Sequence, residues 1–405
     1  MAHLDDIVVT HDDSKGHLTF GIELEFLQPV LFGDKTDRYP DFRPIFQTDD
    51  WNDVLELKGT DDFLVRHLGE LEGITVRDEA GDEFVPPHDN VPKYDAWRIV
   101  GDSSVRKTED EKYRGYDWIG KEVTSEVLNA YEGESFVKVR RFCRGMRRLR
   151  VHINETAGLH VHIGRGDDGF SLRTMKRFSS VAWVIDEVLL GMQHPSRRQS
   201  AYCKTLAKTS ELNNFRPEDE ATFDMIHDPV IRAQAEAWIP DKGISDDLKK
   251  KLIRIWSTTS LKELADLMGA PSHPWATNQM RAATRGTFGF RRFLPAGKTG
   301  GNTNTIEFRQ MIGSFDHKHI NHWVRLCALL VDFSRLSTVE AFQRIIMRAS
   351  NEEMYNHVDL LTDLDQADTI PFWQAKVDDY AKPNPEVFQG SNRHMWLRPL
   401  RHADR

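Results

Sequence analysis

The sequence predicts an α+β fold: a mostly antiparallel or mixed sheet with helices against one of its faces. Three observations predict it. Short segments alternate apolar and polar residues with period two, as strands with one buried face do. Longer segments repeat apolar residues at steps of three and four, as amphipathic helices do. The two kinds do not alternate regularly, which speaks against the βαβ units of a parallel sheet.

The elements follow in chain order. Residues 1–16 are polar and acidic and read as a loose tail. Residues 17–28 read as the first strand. Residues 29–93 are acidic and rich in Pro and Asp, an irregular insertion with one short helix near 61–72. Residues 94–100 read as a second strand ending at Gly101 and Asp102, and 121–128 as a third. Phe136, Val139, Cys143, Met146 and Leu149 then mark a helix. Its other face carries Lys138, Arg140, Arg141, Arg144, Arg147 and Arg148. That face reads as an anion-binding surface or, more simply in an acidic chain, as a solvated helix face.

After a histidine strand at 158–164, Ser171 caps a helix with Leu172, Met175, Ala182, Ile185, Leu189 and Met192 on one side. Residues 217–284 read as mostly helical, with Ser245 a cap and Gly269 a stop. Segments 288–294 and 304–311 read as strands joined by the flexible stretch 295–302. Asp316 caps a long helix with Ile320, Trp323, Cys327, Leu330 and Val331 inward. The expected organisation is a tail over 1–16, one domain over 17–345 and a helical or irregular extension over 346–405.

Composition narrows the function classes. The chain has 405 residues, enough for a large core, with 39% hydrophobic and 29% charged residues. A formal net charge of −9 argues against broad nucleic-acid binding, which needs a basic footprint. Cys143, Cys203 and Cys327 are few and widely spaced, which suggests free thiols in a reducing compartment. The apolar stretches 181–192 and 326–333 are interrupted or too short for a membrane span, and the N-terminal residues lack a signal-peptide core. A cytoplasmic protein without membrane or nucleic-acid partners is expected.

Four strand-like segments carry the chemistry. Residues 21–26 read Gly-Ile-Glu-Leu-Glu-Phe and set Glu23 and Glu25 on one face. Lys-Glu-Val-Thr at 121–124 contributes Glu122. Gly-Leu-His-Val-His-Ile-Gly at 158–164 contributes His160 and His162. Thr-Ile-Glu-Phe-Arg-Gln at 305–310 contributes Glu307 and Arg309. Carboxylates converging on one wall repel unless cations lie between them, so the pattern asks for metal. Glu-x-Glu is equally the pattern of an exposed sheet face, His-x-His of two surface imidazoles, and Glu-Phe-Arg of a same-face ion pair. No phosphate-binding glycine loop is present, since Gly297-Lys298-Thr299 lacks the upstream glycine.

In this order the segments resemble the amidoligase family of the carboxylate–amine ligase superfamily, related to glutamine synthetase and glutamate–cysteine ligase. The resemblance spans roughly 18–330 and includes the Pro195-Ser-Arg-Arg…Tyr-Cys segment. It implies a glutamine-synthetase-like catalytic domain, a curved half-barrel sheet with helices on the outer face. It implies ATP and Mg²⁺ or Mn²⁺ as cofactors, and amide formation through an acyl phosphate with ADP release. Glu23, His160 and Glu307 are implied to hold one ion, and Glu25 and Glu122 the other, completed by Asp102. Arg309 is implied to stabilise the transferred phosphoryl group, His162 to contact nucleotide or metal-bound water, and Arg198 to bind a substrate carboxylate or phosphate. Glu126 and Asp102 are the candidate general bases. Two departures, Glu126 in place of the family's proline and Arg291, Arg292 and Phe293 in place of its asparagine, bear on the substrates. These are a small-molecule or peptide carboxylate and an amine; their identity and the oligomeric state are not legible. Two other classes compete: a zinc-dependent hydrolase using His160 and His162, and a non-catalytic metal-stabilised binding module.

Overall fold

The computed structural model describes residues 16–55, 58–78, 94–108, 115–166, 169–214, 221–269, 285–290, 304–350 and 355–382. Outside them lie the expected tail up to residue 15, the stretch 295–302, the departures Arg291, Arg292 and Phe293, the second half of the strand expected at 288–294, and 383–405 of the expected extension. The chain forms two compact units. One is built on Thr19–Val161 with Met311–Val324, the other on His162–Gln310 with Arg325–Lys382.

The first unit is an α+β body around the long strand β1 (Thr19–Phe32). The shorter strands are β2 (Phe46–Thr48), β3 (Val76–Asp78), β4 (Trp97–Gly101), β5 (Asp117–Thr124) and β6 (Leu128–Asn129). Strand β7 (Gly158–Gly164) adds its residues up to Val161. The order is β3-β4-β5-β1-β7, with β2 and β6 also paired to β1. The β1–β5, β1–β6 and β4–β5 pairs are antiparallel; β1–β2 and β3–β4 are parallel. The sheet is therefore mixed and mostly antiparallel, as the alternating pattern predicts.

Register decides which stripes meet. Glu25 lies opposite Glu122, Leu24 opposite Val123 and Phe26 opposite Lys121. Because faces alternate, the glutamates share one face and the apolar residues the other. The apolar face is covered by helices α2 (Lys58–Leu68) and α3 (Gly133–Met146), which follow the short α1 (Trp51–Leu55). Trp97 stacks on Phe142 of α3 with centroids 4.1 Å apart, and Phe20 stacks on Phe136 at 5.4 Å. Strand β5 stops at Thr124, short of the expected 128. Ser125 leaves the ladder because its hydroxyl accepts from the Ile22 amide at 3.0 Å while its own amide bonds to the Ile22 carbonyl at 2.8 Å.

The second unit is mainly helical. Helix α4 (Leu172–Gly191) begins at Ser171, whose hydroxyl accepts from the Thr174 amide at 3.1 Å, as its sequence predicts. The one-turn helices α5 (Ser196–Gln199) and α6 (Leu206–Thr209) follow. Within the described residues 221–269 the expected helical region contains α7 (Pro229–Trp238), α8 (Asp246–Ser257) and α9 (Leu261–Met268), and its parts at 217–220 and 270–284 lie outside the described residues. Ser245 caps α8 and Gly269 ends α9. Helix α10 (His317–Leu336) starts in the first unit, where Asp316 accepts from the Lys318 amide at 3.1 Å, and ends in this one. Helices α11 (Val339–Ala349), α12 (His357–Asp363) and α13 (Ile370–Tyr380) follow. Strand β8 (Ile306–Ile312), whose every residue is buried, follows β7 in the strand order. Of the expected 288–294 strand, Phe288 makes an antiparallel bridge to Phe308.

Candidate metal centre

In the first unit the predicted ligands converge. His160 spans two glutamates: its Nδ1 lies 2.8 Å from Glu23 Oε2 and its Nε2 3.5 Å from Glu25 Oε1. The other oxygen of Glu25 accepts from the Gly158 amide at 2.5 Å, which fixes that carboxylate against β7. Glu23, Glu122 and His160 form one group whose ligand atoms lie within 4.8 Å of one another, and Glu25, Asp102 and Glu122 form another. Glu122 belongs to both. Glu25 and His160 are buried, and Glu23, Glu122 and Asp102 are half-buried, so the carboxylate cluster keeps an open side.

The donor set fits hard divalent cations. Carboxylate oxygens suit Mg²⁺, and the single imidazole in one group suits a mixed Mg²⁺/Mn²⁺ position. Three carboxylates converging around one shared member place more negative charge than one imidazole offsets, which is the electrostatic demand a cation meets.

The second unit holds the other predicted residues. Arg309 Nη1 donates directly to Glu307 Oε1, and both side chains are buried. The same-face ion pair considered for Glu-Phe-Arg is thus present, but buried rather than solvated, so breaking it by removing one partner costs several kcal/mol. His162 Nε2 lies 3.9 Å from Glu307 Oε1, and its Nδ1 is 3.0 Å from the Thr305 hydroxyl.

Two candidates are engaged elsewhere. Glu126 takes both its oxygens to Lys138 Nζ at 3.0 Å and accepts from the Trp97 indole at 3.3 Å, so it bonds to α3 and β4 rather than joining either carboxylate group. Arg198 is half-exposed and pairs with the half-exposed Glu187 at 3.2 Å. Its neighbour Arg197 is the buried one: it donates to the Arg309 carbonyl at 2.7 Å, where the Cys203 thiol also points at 3.3 Å. The sequence does not tell which arginine of the pair is buried, because a one-turn helix gives no periodicity to separate its faces.

Further residues were not foreseen. Gly289 leaves room for Glu307, whose carboxylate a methyl at that position would overlap; its amide also bonds to the Glu307 carbonyl at 2.9 Å. Asp186, within the apolar stripe of α4, accepts from the Leu206 amide at 2.7 Å and from the Thr287 hydroxyl at 2.9 Å. Burial pushes its carboxyl up to about 7 although these bonds pull it down. A polar residue interrupting that stripe was the available signal.

Comparison with known families supplies the classification. Residues 17–237, more than half the chain, match the family model described as "Putative amidoligase enzyme". The chain belongs to this amidoligase family. Searches of curated proteins and of solved structures found no match. The amidoligase match contains Glu23, Glu25, Asp102, Glu122, His160 and His162. It ends before Glu307 and Arg309, so roles for that pair rest on the motif at 305–310. Among the described residues of this amidoligase no helix is long and apolar enough to cross a membrane.

Proposed function

We propose that the protein is an ATP-dependent carbon–nitrogen ligase that joins a carboxylate to an amine through an acyl phosphate, releasing ADP when the acyl phosphate forms and phosphate when the amine displaces it. Glu23, Glu122 and His160 would hold one Mg²⁺ or Mn²⁺, and Glu25, Asp102 and Glu122 a second. The observation that carries this reading is that Glu122 belongs to both groups. One carboxylate shared by two cation positions is the donor arrangement of a two-metal site. When bound, the ions would supply charge neutralisation and ATP the phosphoryl group that activates the substrate carboxylate.

The chain's own residues supply position. The Gly158 amide orients Glu25, and Glu23 orients the His160 ring. On this reading the fork of Arg309 is for phosphoryl oxygens and His162 for the nucleotide. To accept the amine proton, Glu126 would first have to leave Lys138. Among the described residues no metal-capable group contains both histidines, so no observation favours a zinc hydrolase built on His160 and His162.

The test incubates the purified protein with ATP, Mg²⁺ and fractionated small-molecule extract, and measures ADP together with any new condensation product. Glu25→Gln and Glu122→Gln should each abolish ADP release. Equal ADP release by both variants and the parent removes the ligase reading.

A further inference from the structure

We propose that Gly120 is a positioning residue for the second cation: it lets the segment from Asp102 to Arg106 lie across β5 and so present the Asp102 carboxylate to Glu25 and Glu122. The inference rests on the metal reading above.

Gly120 stands two residues before Glu122 on β5 and therefore shares its face. Leu27 lies opposite it, two residues on from Glu25. A methyl group at 120 would overlap the main-chain carbonyl oxygens of both Asp102 and Val105. Both obstacles are backbone, so no side-chain rotation could relieve the overlap. The segment thus rests directly on the glycine.

It is also fastened at both ends. At its start the Asp102 amide donates to the Gly120 carbonyl at 2.9 Å, and the Asp102 carboxylate accepts from the Ser104 amide at 2.7 Å. At its end the Arg106 amide donates to the Thr156 hydroxyl at 3.0 Å, while the Arg106 carbonyl accepts from Asn154 Nδ2 at 2.8 Å and from that hydroxyl at 3.2 Å. In the middle Val105 is buried. A strap held at both ends and seated on a strand has one height above the sheet. Raising it moves Asp102 away from its two partners, and a metal site tolerates displacements of only about 0.2 Å. The group formed by Glu23, Glu122 and His160 does not include the strap, so its ion should be unaffected.

The experiment counts Mn²⁺ bound by the full chain, using calorimetry and electron paramagnetic resonance, with circular dichroism to establish folding. The parent should bind two ions. Gly120→Ala and Asp102→Asn should each retain one ion and lose or weaken the other, with the same residual spectrum. Asn154→Ala, which loosens the strap without a clash, should weaken that ion by about tenfold. If Gly120→Ala does not fold, Asn154→Ala decides. Two ions of parental affinity in the folded Gly120→Ala variant, or in Asn154→Ala where that decides, would overturn the role of the strap and leave the metal site standing. No Mn²⁺ bound by the parent would overturn both.

Discussion

Glu122 differs from the other acidic residues of the cluster because it alone among the described residues is common to the two carboxylate-containing groups of the first unit. Substitutions should therefore be unequal. Glu122→Gln should weaken both Mn²⁺ ions, Glu23→Gln only the ion shared with His160, and Glu25→Gln only the ion shared with Asp102. A titration in which all three variants lose the same ion would contradict the sharing. The one-face placement of Glu23 with Glu25 was legible, since period two is a local property. That Glu25 lies opposite Glu122 was not, because strand register is set by pairing between distant segments. The partner of Glu126 was hidden for the same reason: Lys138 reaches it from a helix, and the sequence reading assigned that lysine to solvent.

At the scale of elements, helix starts were the most readable features. Ser171 and Ser245 each accept from an amide three residues on, so the signal lies within four residues. Replacing either with Ala should cost about 1 kcal/mol in urea unfolding. The docking of α2 was unreadable. Lys121 is fully buried on the helix-covered face of β5 and pairs with the buried Asp61 of α2. Burial drives the lysine down and the aspartate up, each opposed by the other's charge. Lys121→Met alone should destabilise by about 3–5 kcal/mol, because it strands a buried carboxylate. Joining it to Asp61→Leu should recover most of that loss, as a denaturation cycle over the four proteins would reveal. A pattern that reads Lys-Glu-Val-Thr gives no hint that its lysine is the more buried of its two charged residues.

Over the whole molecule, Asp186 sets a pH dependence of stability. Its folded carboxyl holds its proton up to about 7, whereas an unfolded aspartate loses it near 4. Between those values the native state binds more protons, so its contribution to stability falls as pH rises and levels off above about 7. Asp186→Asn should flatten that decline, seen as unfolding midpoints that converge at acid pH and separate in the variant's favour near pH 8. Divalent ions should act oppositely on the parent, since ligands that bind only the native state raise its stability by mass action. Saturating Mn²⁺ should raise the melting temperature of the parent more than that of Glu122→Gln.

The sequence alone determined the alternating stripes, the capped helices, the α+β class and the resemblance to amidoligases, because each is written in spacings of a few residues. Tertiary structure decided which stripes face each other, which arginine of 197 and 198 is buried, and that Gly120 and Gly289 are seats for neighbouring groups. Those outcomes depend on pairing register and burial, and both are settled by contacts between segments far apart in the chain.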